Sequence, residues 1–470
     1  MAPRVLFTTV YRKGSEPYDY IGANTRSWFR FYWPRIQSFG LRFLKQNIPE
    51  LEILEFPTWD SYQEKLKEGW DVVGLSFYLS ETHEALEMVD AARKANVGEV
   101  WAGNYGALTT EVQDKFDKIF VGYSEHQLAP YFGRQIKDII HPPLIEYLNT
   151  PWGIKLNIYG VLFTTRGCPV GCKFCQTPVF CSKPNIIPLK SIDRVLAYYK
   201  ENGINVVLIE DENFGCNRRH ADAVVELLDK YQMVWGCMAR ADYLRKKIDD
   251  WAEMRRMNGR HVAGFGGAAI GIENLHQERL DDIKKKEGTE DILETIGKLQ
   301  KHGLGTVGYY MIGFETDTIE SLKVDIPKLA ALKLDITQIC VITPLPQTPL
   351  WTEITEKYGI WDQDYHNYDG KHMVWNHPRI KPSEFQGILD WSFKQTYSWT
   401  APIRTSARVW GNAYRYGGLA GIREVAAYIS RANKFDWNSG PRLLEVSESP
   451  SREREDEDTI TIISRCPAGL

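Results

Sequence analysis

Three cysteines within eight residues constrain this chain more than any other feature. The text Thr164-Thr165-Arg166-Gly167-Cys168-Pro169-Val170-Gly171-Cys172-Lys173-Phe174-Cys175 has C-x3-C-x2-C spacing and directly follows an apolar run, residues 159–164, that reads as a strand. Thiolates are the usual ligands of a cubane iron–sulfur cluster. Three of them on one glycine-containing loop hold three irons and leave the fourth open, as a catalytic zinc site keeps one open position. The competing readings are a zinc site or buried thiols. Zinc usually takes two C-x2-C halves or a nearby His; no second half is evident, although Cys181, six residues on, is a conceivable fourth ligand. Cys237 and Cys340 sit in strand patterns and read as buried small hydrophobes, whereas Cys216 lies near a strand end from which it can face the site. Cys466 adds no auxiliary-cluster spacing.

The cysteine loop lies inside a longer alternation. Over residues 156–350, candidate strands at 159–164, 205–210, 233–238, 268–272, 306–312 and 336–342 alternate with helical patterns at 192–201, 221–231, 291–302 and 319–332. Six β/α units read as a partial (β/α)6 TIM-type barrel, whose chemistry belongs at the C-terminal ends of the strands. Residues 1–130 carry shorter β-type runs at 5–10, 51–56, 72–77, 99–102 and 118–121, with a clear helix over 82–94. This is the pattern of a doubly wound, Rossmann-like α/β domain, interrupted by an aromatic insert at 18–43 that contains Trp28, Phe29, Phe31, Tyr32 and Trp33. Residues 131–155, with Pro142, Pro143 and Pro151, read as a linker without regular structure. Residues 351–440 form a mainly helical, aromatic-rich region with Trp375, Trp391, Trp399, Trp410, Tyr414 and Tyr416, expected to close over the barrel. Residues 441–470 form a charged tail. No repeat of fixed period is present.

Composition bounds the function classes. Apolar residues at 43% and charged residues at 25% are those of a soluble globular protein. A net charge of -4 provides no broad basic field for nucleic acid. No run approaches the ~18 apolar residues of a membrane span, and the N-terminus lacks the layout of a signal peptide. Eight cysteines in 470 residues are too sparse for a disulfide scaffold, so the expected location is the reducing cytoplasm.

The cysteine loop, with Phe174 just before its third cysteine, resembles that of the radical S-adenosylmethionine (SAM) superfamily. The resemblance implies a [4Fe-4S] cluster on Cys168, Cys172 and Cys175, with the open iron chelated by SAM. One electron then cleaves SAM to a 5′-deoxyadenosyl radical. It carries further roles onto the strand ends. Within Ile209-Glu210-Asp211-Glu212-Asn213-Phe214, Asp211 and Glu212 are the best candidates for the SAM amino group; the alternative is a solvated acidic turn. Arg240 of Met238-Ala239-Arg240-Ala241-Asp242 suits the SAM carboxylate or a surface salt bridge. Glu273 of Gly271-Ile272-Glu273-Asn274 matches the family's ribose-contacting Glu, against a structural ion pair. Gly308 and Gly313 of Gly308-Tyr309-Tyr310-Met311-Ile312-Gly313-Phe314-Glu315 match a segment where glycines admit adenine, with Tyr310 in an Ile slot. Thr343-Pro344-Leu345-Pro346-Gln347-Thr348-Pro349 is similar to a Pro-x-Pro-Gly-Thr-Pro segment, with Gln347 in place of Gly.

The domain before the barrel resembles the cobalamin (B12)-binding domain of one radical SAM subfamily, the class B methyltransferase type. The matching pieces are Asp71-Val72-Val73-Gly74-Leu75-Ser76, Ala102-Gly103-Asn104 and Val121-Gly122-Tyr123-Ser124-Glu125. Asn104, Tyr123 and Ser124 depart from the usual texts. Asp-x-His-x-x-Gly is absent, and Tyr11-Arg12-Lys13-Gly14-Ser15 stands after the first strand. If cobalamin binds, no protein His is its lower ligand, and its nucleotide tail lies in the groove near Ser76 and Gly103; Asn104, Gly122 and Ser124 are the further cobalamin-binding candidates. The alternative is a degenerate domain that only packs on the barrel.

The resemblance implies a cobalamin-dependent radical SAM enzyme that methylates an unactivated carbon, with no protein nucleophile required. The alternatives are a non-methylating radical reaction on the same architecture (cyclisation, rearrangement, oxidation or C–C coupling) and a non-enzymatic iron–sulfur or zinc module. A small-molecule, lipid or peptidyl substrate and an electron donor such as flavodoxin or ferredoxin are the partners implied; no catalytic acid or base is legible.

Overall fold

The computed structural model describes residues 3–11, 37–149, 155–258, 261–397 and 401–434. Most of the aromatic insert, residues 12–15 of the loop after the first strand, Pro151, Trp399, Cys466 and the charged tail lie outside these residues.

The first sheet is all parallel. Its strands are β1 (Val5–Thr9), β2 (Glu52–Leu54), β3 (Val72–Ser76), β4 (Glu99–Gly103) and β5 (Lys118–Ile119), in the order β2-β1-β3-β4-β5. Strands β1 and β3 are runs of buried residues, as expected of parallel strands covered on both faces. Helices Phe39–Asn47 and Thr82–Lys94 belong to the two apolar layers, one around Leu41 and Leu44, the other around Ala85 and Met88. This strand order reverses direction between β1 and β3, which opens a crevice at their C-terminal ends, the usual ligand position of an open α/β sheet.

The second sheet begins with β6 (Ile145–Asn149) and β7 (Lys155–Leu162). It continues, after the short antiparallel pair β8 (Thr165–Arg166) and β9 (Asn185–Ile186), with β10 (Val206–Ile209), β11 (Val234–Met238), β12 (Arg256–Asn258), β13 (His261–Glu273), β14 (Gly305–Ile312) and β15 (Ile336–Val341). The order is β15-β14-β13-β11-β10-β7-β6, and the six strands from β7 to β15 pair in parallel. These are the six expected β/α units. Helix-facing residues such as Val207, Ile209, Trp235, Ile270 and Ile339 are buried, while β11 and β15 alternate buried with partly accessible residues. The concave face is therefore incompletely packed, which leaves room inside the half-barrel.

Two expectations require correction. The supposed linker contains β6, which pairs antiparallel with β7 and extends the sheet edge. The Tyr199 hydroxyl fixes this edge through the backbone of Leu144, donating to its carbonyl and accepting from its N–H at 2.8 and 3.0 Å. Pro142 and Pro143 precede this strand and so do not interrupt its ladder. The long C-terminal helical segment Ala401–Lys434, broken at Gly418, does not close over the catalytic end. Asn433 donates to Lys155 O, Asn412 to Gly303 O, and Thr405 to Asp335, at 2.8, 2.6 and 2.9 Å. All three partners stand at the starts of barrel strands, so this segment covers the N-terminal end. The opposite end is bordered instead by residues 358–377: Gly370 O accepts from Val341 N, Trp375 donates to Ile342 O, and His377 to Phe314 O.

Candidate functional site

The three cysteines lie on the loop after β7, as expected. All are free thiols, partly accessible, and Cys168 and Cys175 add to the charge around Cys172. The loop is tied down from several sides. Cys168 N donates to Cys181 O at 3.1 Å, Lys173 N to Ile283 O at 2.9 Å, Leu350 N to Lys173 O at 3.0 Å, and Gln176 Nε2 to Pro346 O at 3.1 Å. Gly167 and Gly171 have φ of 103° and 77°, a left-handed region in which a side chain is costly. Three thiol donors on a fixed loop match the donor set of a cubane cluster with one open iron. Burial pushes the Cys172 thiol up to about 11, and Lys285 pulls it back down; a metal that binds thiolate reverses such a penalty. Cys181 is buried, and its thiol donates to Lys183 O at 3.1 Å. Cys216 does reach this region, with its sulfur 3.6 Å from Thr165 Oγ1. Cys237 is buried on the helix side, but Cys340 is partly accessible on the concave face, because the strand alternation turns it inward.

The acidic run after β10 divides by role. Asp211 is fully buried and accepts from Thr164 N, Thr165 N and both threonine hydroxyls at 2.5 to 2.9 Å. Burial raises its carboxyl to about 7 against these four hydrogen bonds. It clamps the start of the cysteine loop with both carboxylate oxygens engaged. Glu212 accepts from Gly167 N at 2.9 Å and from the Tyr123 hydroxyl. Glu210 points into the half-barrel; burial, with help from Glu146 and Asp211, lifts it to about 7.

Arg240 donates to Lys285 O, Lys286 O and Asp242 at 2.7, 2.5 and 3.1 Å, and so holds the turn after the helix Gln277–Asp282. Glu273, at φ 55°, accepts from Lys285 Nζ at 2.8 Å. Lys285 thus lies between Glu273 and Cys172, a link that the sequence reading missed. The fold buries Lys285, the middle member of the Lys284-Lys285-Lys286 run. Phe174 packs at the edge of the main core. Gly308 faces the helix layer, where an added Cβ would be 2.6 Å from Ile272 Cδ1 and Leu334 Cδ1. Gly313, at φ 89°, starts a turn in which its N–H donates to Asp317 at 2.8 Å. Both glycines have packing or turn reasons for their identity.

On the first sheet, Ser76 and Gly103 are register partners at the C-terminal ends of β3 and β4. Asn104 follows with φ 68°, Gly122 has φ 89°, and Ser124 Oγ donates to Gly122 O at 3.0 Å. Ser76, Gly103, Asn104 and Ser124 keep partial accessibility. The loops that bear these residues touch the cysteine loop. Glu125 pairs with Arg166, Tyr105 OH lies 3.2 Å from Thr177 Oγ1 and stacks on Phe180, and Gln347 donates to Leu108 O at 2.6 Å. The C-terminal edges of the two parallel sheets therefore meet.

Residues 162–326 match the family described as the radical SAM superfamily. The bacteriochlorophyllide d C-8(2)-methyltransferase of Chlorobaculum tepidum is 26% identical over 251 residues, which is 51% of this chain and 54% of that protein. The anaerobic magnesium-protoporphyrin IX monomethyl ester cyclase of Cereibacter sphaeroides is 24% identical over 230 residues, 47% of this chain and 36% of that one. The chain thus spans about half the length, or less, of these curated relatives. Among solved structures, the radical SAM methyltransferase TsrM of Kitasatospora setae, with cobalamin and a [4Fe-4S] cluster bound, has a TM-score of 0.59 at 15% identity, covering 92% of this chain and all of that one. The cobalamin-dependent radical enzyme OxsB gives 0.56 at 13% identity, over 92% of this chain and 71% of its own. The fold, a parallel α/β sheet set against a half-barrel, is the one those structures share. The matched segment, which holds the cysteine loop and the strand ends gathered around it, is thus similar to the radical SAM superfamily.

Proposed function

We propose that this protein is a cobalamin-dependent radical SAM enzyme that methylates an unactivated carbon. The observation that carries the reading is the meeting of the two sheet edges through Arg166–Glu125 and Tyr123–Glu212, which sets the Ser76–Gly103 crevice against the cysteine loop. The donor set fits the groups. Three free thiols suit a cluster with an open iron, and small, partly accessible residues at the C-terminal ends of the first sheet, with Ser76 beside the strand-order switch, suit a nucleotide-bearing cofactor. When bound, the cluster and SAM supply a 5′-deoxyadenosyl radical and cobalamin supplies a methyl carrier.

The chain's own residues bind and orient. Cys168, Cys172 and Cys175 are the cluster ligands. Glu273 and Lys285 form a buried carboxylate–ammonium pair beside them, suited to SAM hydroxyls and carboxylate on either side. Asp211 and Glu212 hold the loop itself. The partly accessible concave face of the half-barrel receives the substrate. A one-electron donor of the flavodoxin or ferredoxin class supplies the electron.

A non-methylating radical reaction is the second reading, favoured by the cyclases among the relatives. The test is protein purified without oxygen from cobalamin-supplied cells, assayed for iron, cobalt and SAM products. Methylation predicts about four irons and one cobalt per chain, and S-adenosylhomocysteine together with 5′-deoxyadenosine. Four irons without cobalt, and 5′-deoxyadenosine alone, favour the second reading. SAM cleavage that persists in Cys168→Ala, Cys172→Ala or Cys175→Ala overturns both.

A further inference from the structure

We propose a divalent transition-metal site, best suited to zinc, formed by His83, Asp364 and His366 at the junction of the first sheet's helix layer and the segment bordering the barrel mouth. It is separate from the cysteine loop and from the Ser76–Gly103 crevice. His83 lies in the first turn of helix Thr82–Lys94, and Asp364 and His366 flank the start of the short turn Tyr365–Asn367. Residues 281 positions apart in sequence thus place three ligand atoms within 4.8 Å of one another.

The geometry is that of a ligand set. His83 Nε2 and His366 Nδ1 each lie 3.1 Å from Asp364 Oδ1. Tetrahedral zinc with bonds near 2.0–2.1 Å spaces its ligand atoms roughly 3.3 Å apart. The other nitrogen of His366, Nε2, lies 3.0 Å from both oxygens of Glu84, which is buried. A carboxylate on the far nitrogen of a metal-binding imidazole fixes its tautomer and strengthens its donation. Without a cation, Asp364 Oδ1 serves both imidazoles and the His366 N–H at 3.0 Å, while the two rings stack 4.6 Å apart at 12°. Two protonated rings at that separation repel each other; two neutral rings sharing a cation do not. Imidazole donors disfavour calcium and magnesium, which take oxygen ligands, and the mixed nitrogen and carboxylate set suits zinc. The side chains are 50%, 52% and 42% exposed for His83, Asp364 and His366, so an ion can enter and a water can complete the shell.

The bound ion clips the helix that follows β3 to the segment 358–377 at the mouth of the half-barrel. It acts as a clasp between these two segments and stands outside the chemistry.

The test uses protein with its iron–sulfur cluster reconstituted, incubated with zinc chloride and then desalted, with zinc and iron measured per chain. Wild type is expected to retain about one zinc more than His83→Ala/His366→Ala. Zinc should raise the melting temperature of wild type only. Asp364→Asn keeps the side-chain volume while removing the anionic ligand, and should lose the same zinc. Equal zinc retention in wild type and both variants, with unchanged iron, overturns the site, because other groups then hold the metal.

Discussion

Glu125 accepts both arms of the Arg166 guanidinium, at 2.6 and 3.2 Å, with each side chain 3% exposed. The rings of Phe43 and Tyr123 flank it, with its central carbon 4.4 and 4.3 Å from their centroids. Arg166 stands two residues before Cys168, and Glu125 opens a short helix after the first sheet. The pair therefore bolts the first sheet to the cysteine loop. Its desolvation is only just offset by pairing, and removing one partner strands a buried charge. Glu125→Ala is expected to cost about 3–5 kcal/mol by urea unfolding, whereas Glu125→Leu with Arg166→Met should recover most of that loss. A loss below 1 kcal/mol for the single variant would mean that water reaches the guanidinium.

Asp211 provides a sharper test of clamp against ligand. Four donors converge on its carboxylate. Asp211→Asn turns one acceptor oxygen into a donor facing donors, which costs about 1–3 kcal/mol for each unsatisfied group. The unfolding midpoint and the iron retained after reconstitution should both fall. If stability and iron were unchanged and only SAM affinity dropped, Asp211 would be a SAM ligand after all.

His141 is the buried pivot between the connector and the barrel. Its Nε2 accepts from Phe163 N at 2.8 Å, and its Nδ1 donates to Pro142 O. Burial lowers its pKa from 6.5 to about 3. The folded state therefore keeps it neutral while the unfolded state takes a proton below pH 6.5. Its stabilising contribution is complete above pH 6.5 and falls by about 1.4 kcal/mol per pH unit down to about pH 3. Unfolding free energies of wild type and His141→Gln, measured between pH 7 and 5, should differ by an amount that shrinks as pH falls. A constant difference would show that the ring titrates normally.

Gly308→Ala separates packing from cofactor contact. A Cβ there meets Ile272 and Leu334 at 2.6 Å, so overpacking should cost about 1–3 kcal/mol. SAM affinity, measured at a temperature where both proteins are folded, should not change. Lost SAM affinity with full stability would favour the adenine reading.

Much of the fold was legible in the residues. The strand runs of both sheets and the helix over 82–94 follow from apolar spacing and length, because parallel strands covered by helices leave near-continuous apolar runs. The position of the helix at Ile319–Ala331 was equally clear. Edge strand β6 was not, since its prolines signal a break and its ladder depends on a partner, β7, that supplies the other half of each bond. The course of the Ala401–Lys434 segment was not legible either. Its aromatic content marks amphipathic surface but carries no direction, and only contacts with Lys155, Gly303 and Asp335 place it at the N-terminal end.

The site divides in the same way. Spacing by itself put Cys168, Cys172 and Cys175 on one loop as a candidate ligand set, because local geometry is set by a few residues. Only tertiary structure could show that Asp211 clamps while Glu212 bridges to Tyr123, that Lys285 sits between Glu273 and Cys172, and that His83 finds His366. Each of these is a meeting of side chains from distant segments, and whether a charged group binds a ligand or another residue depends on what the fold brings within 3 to 4 Å of it.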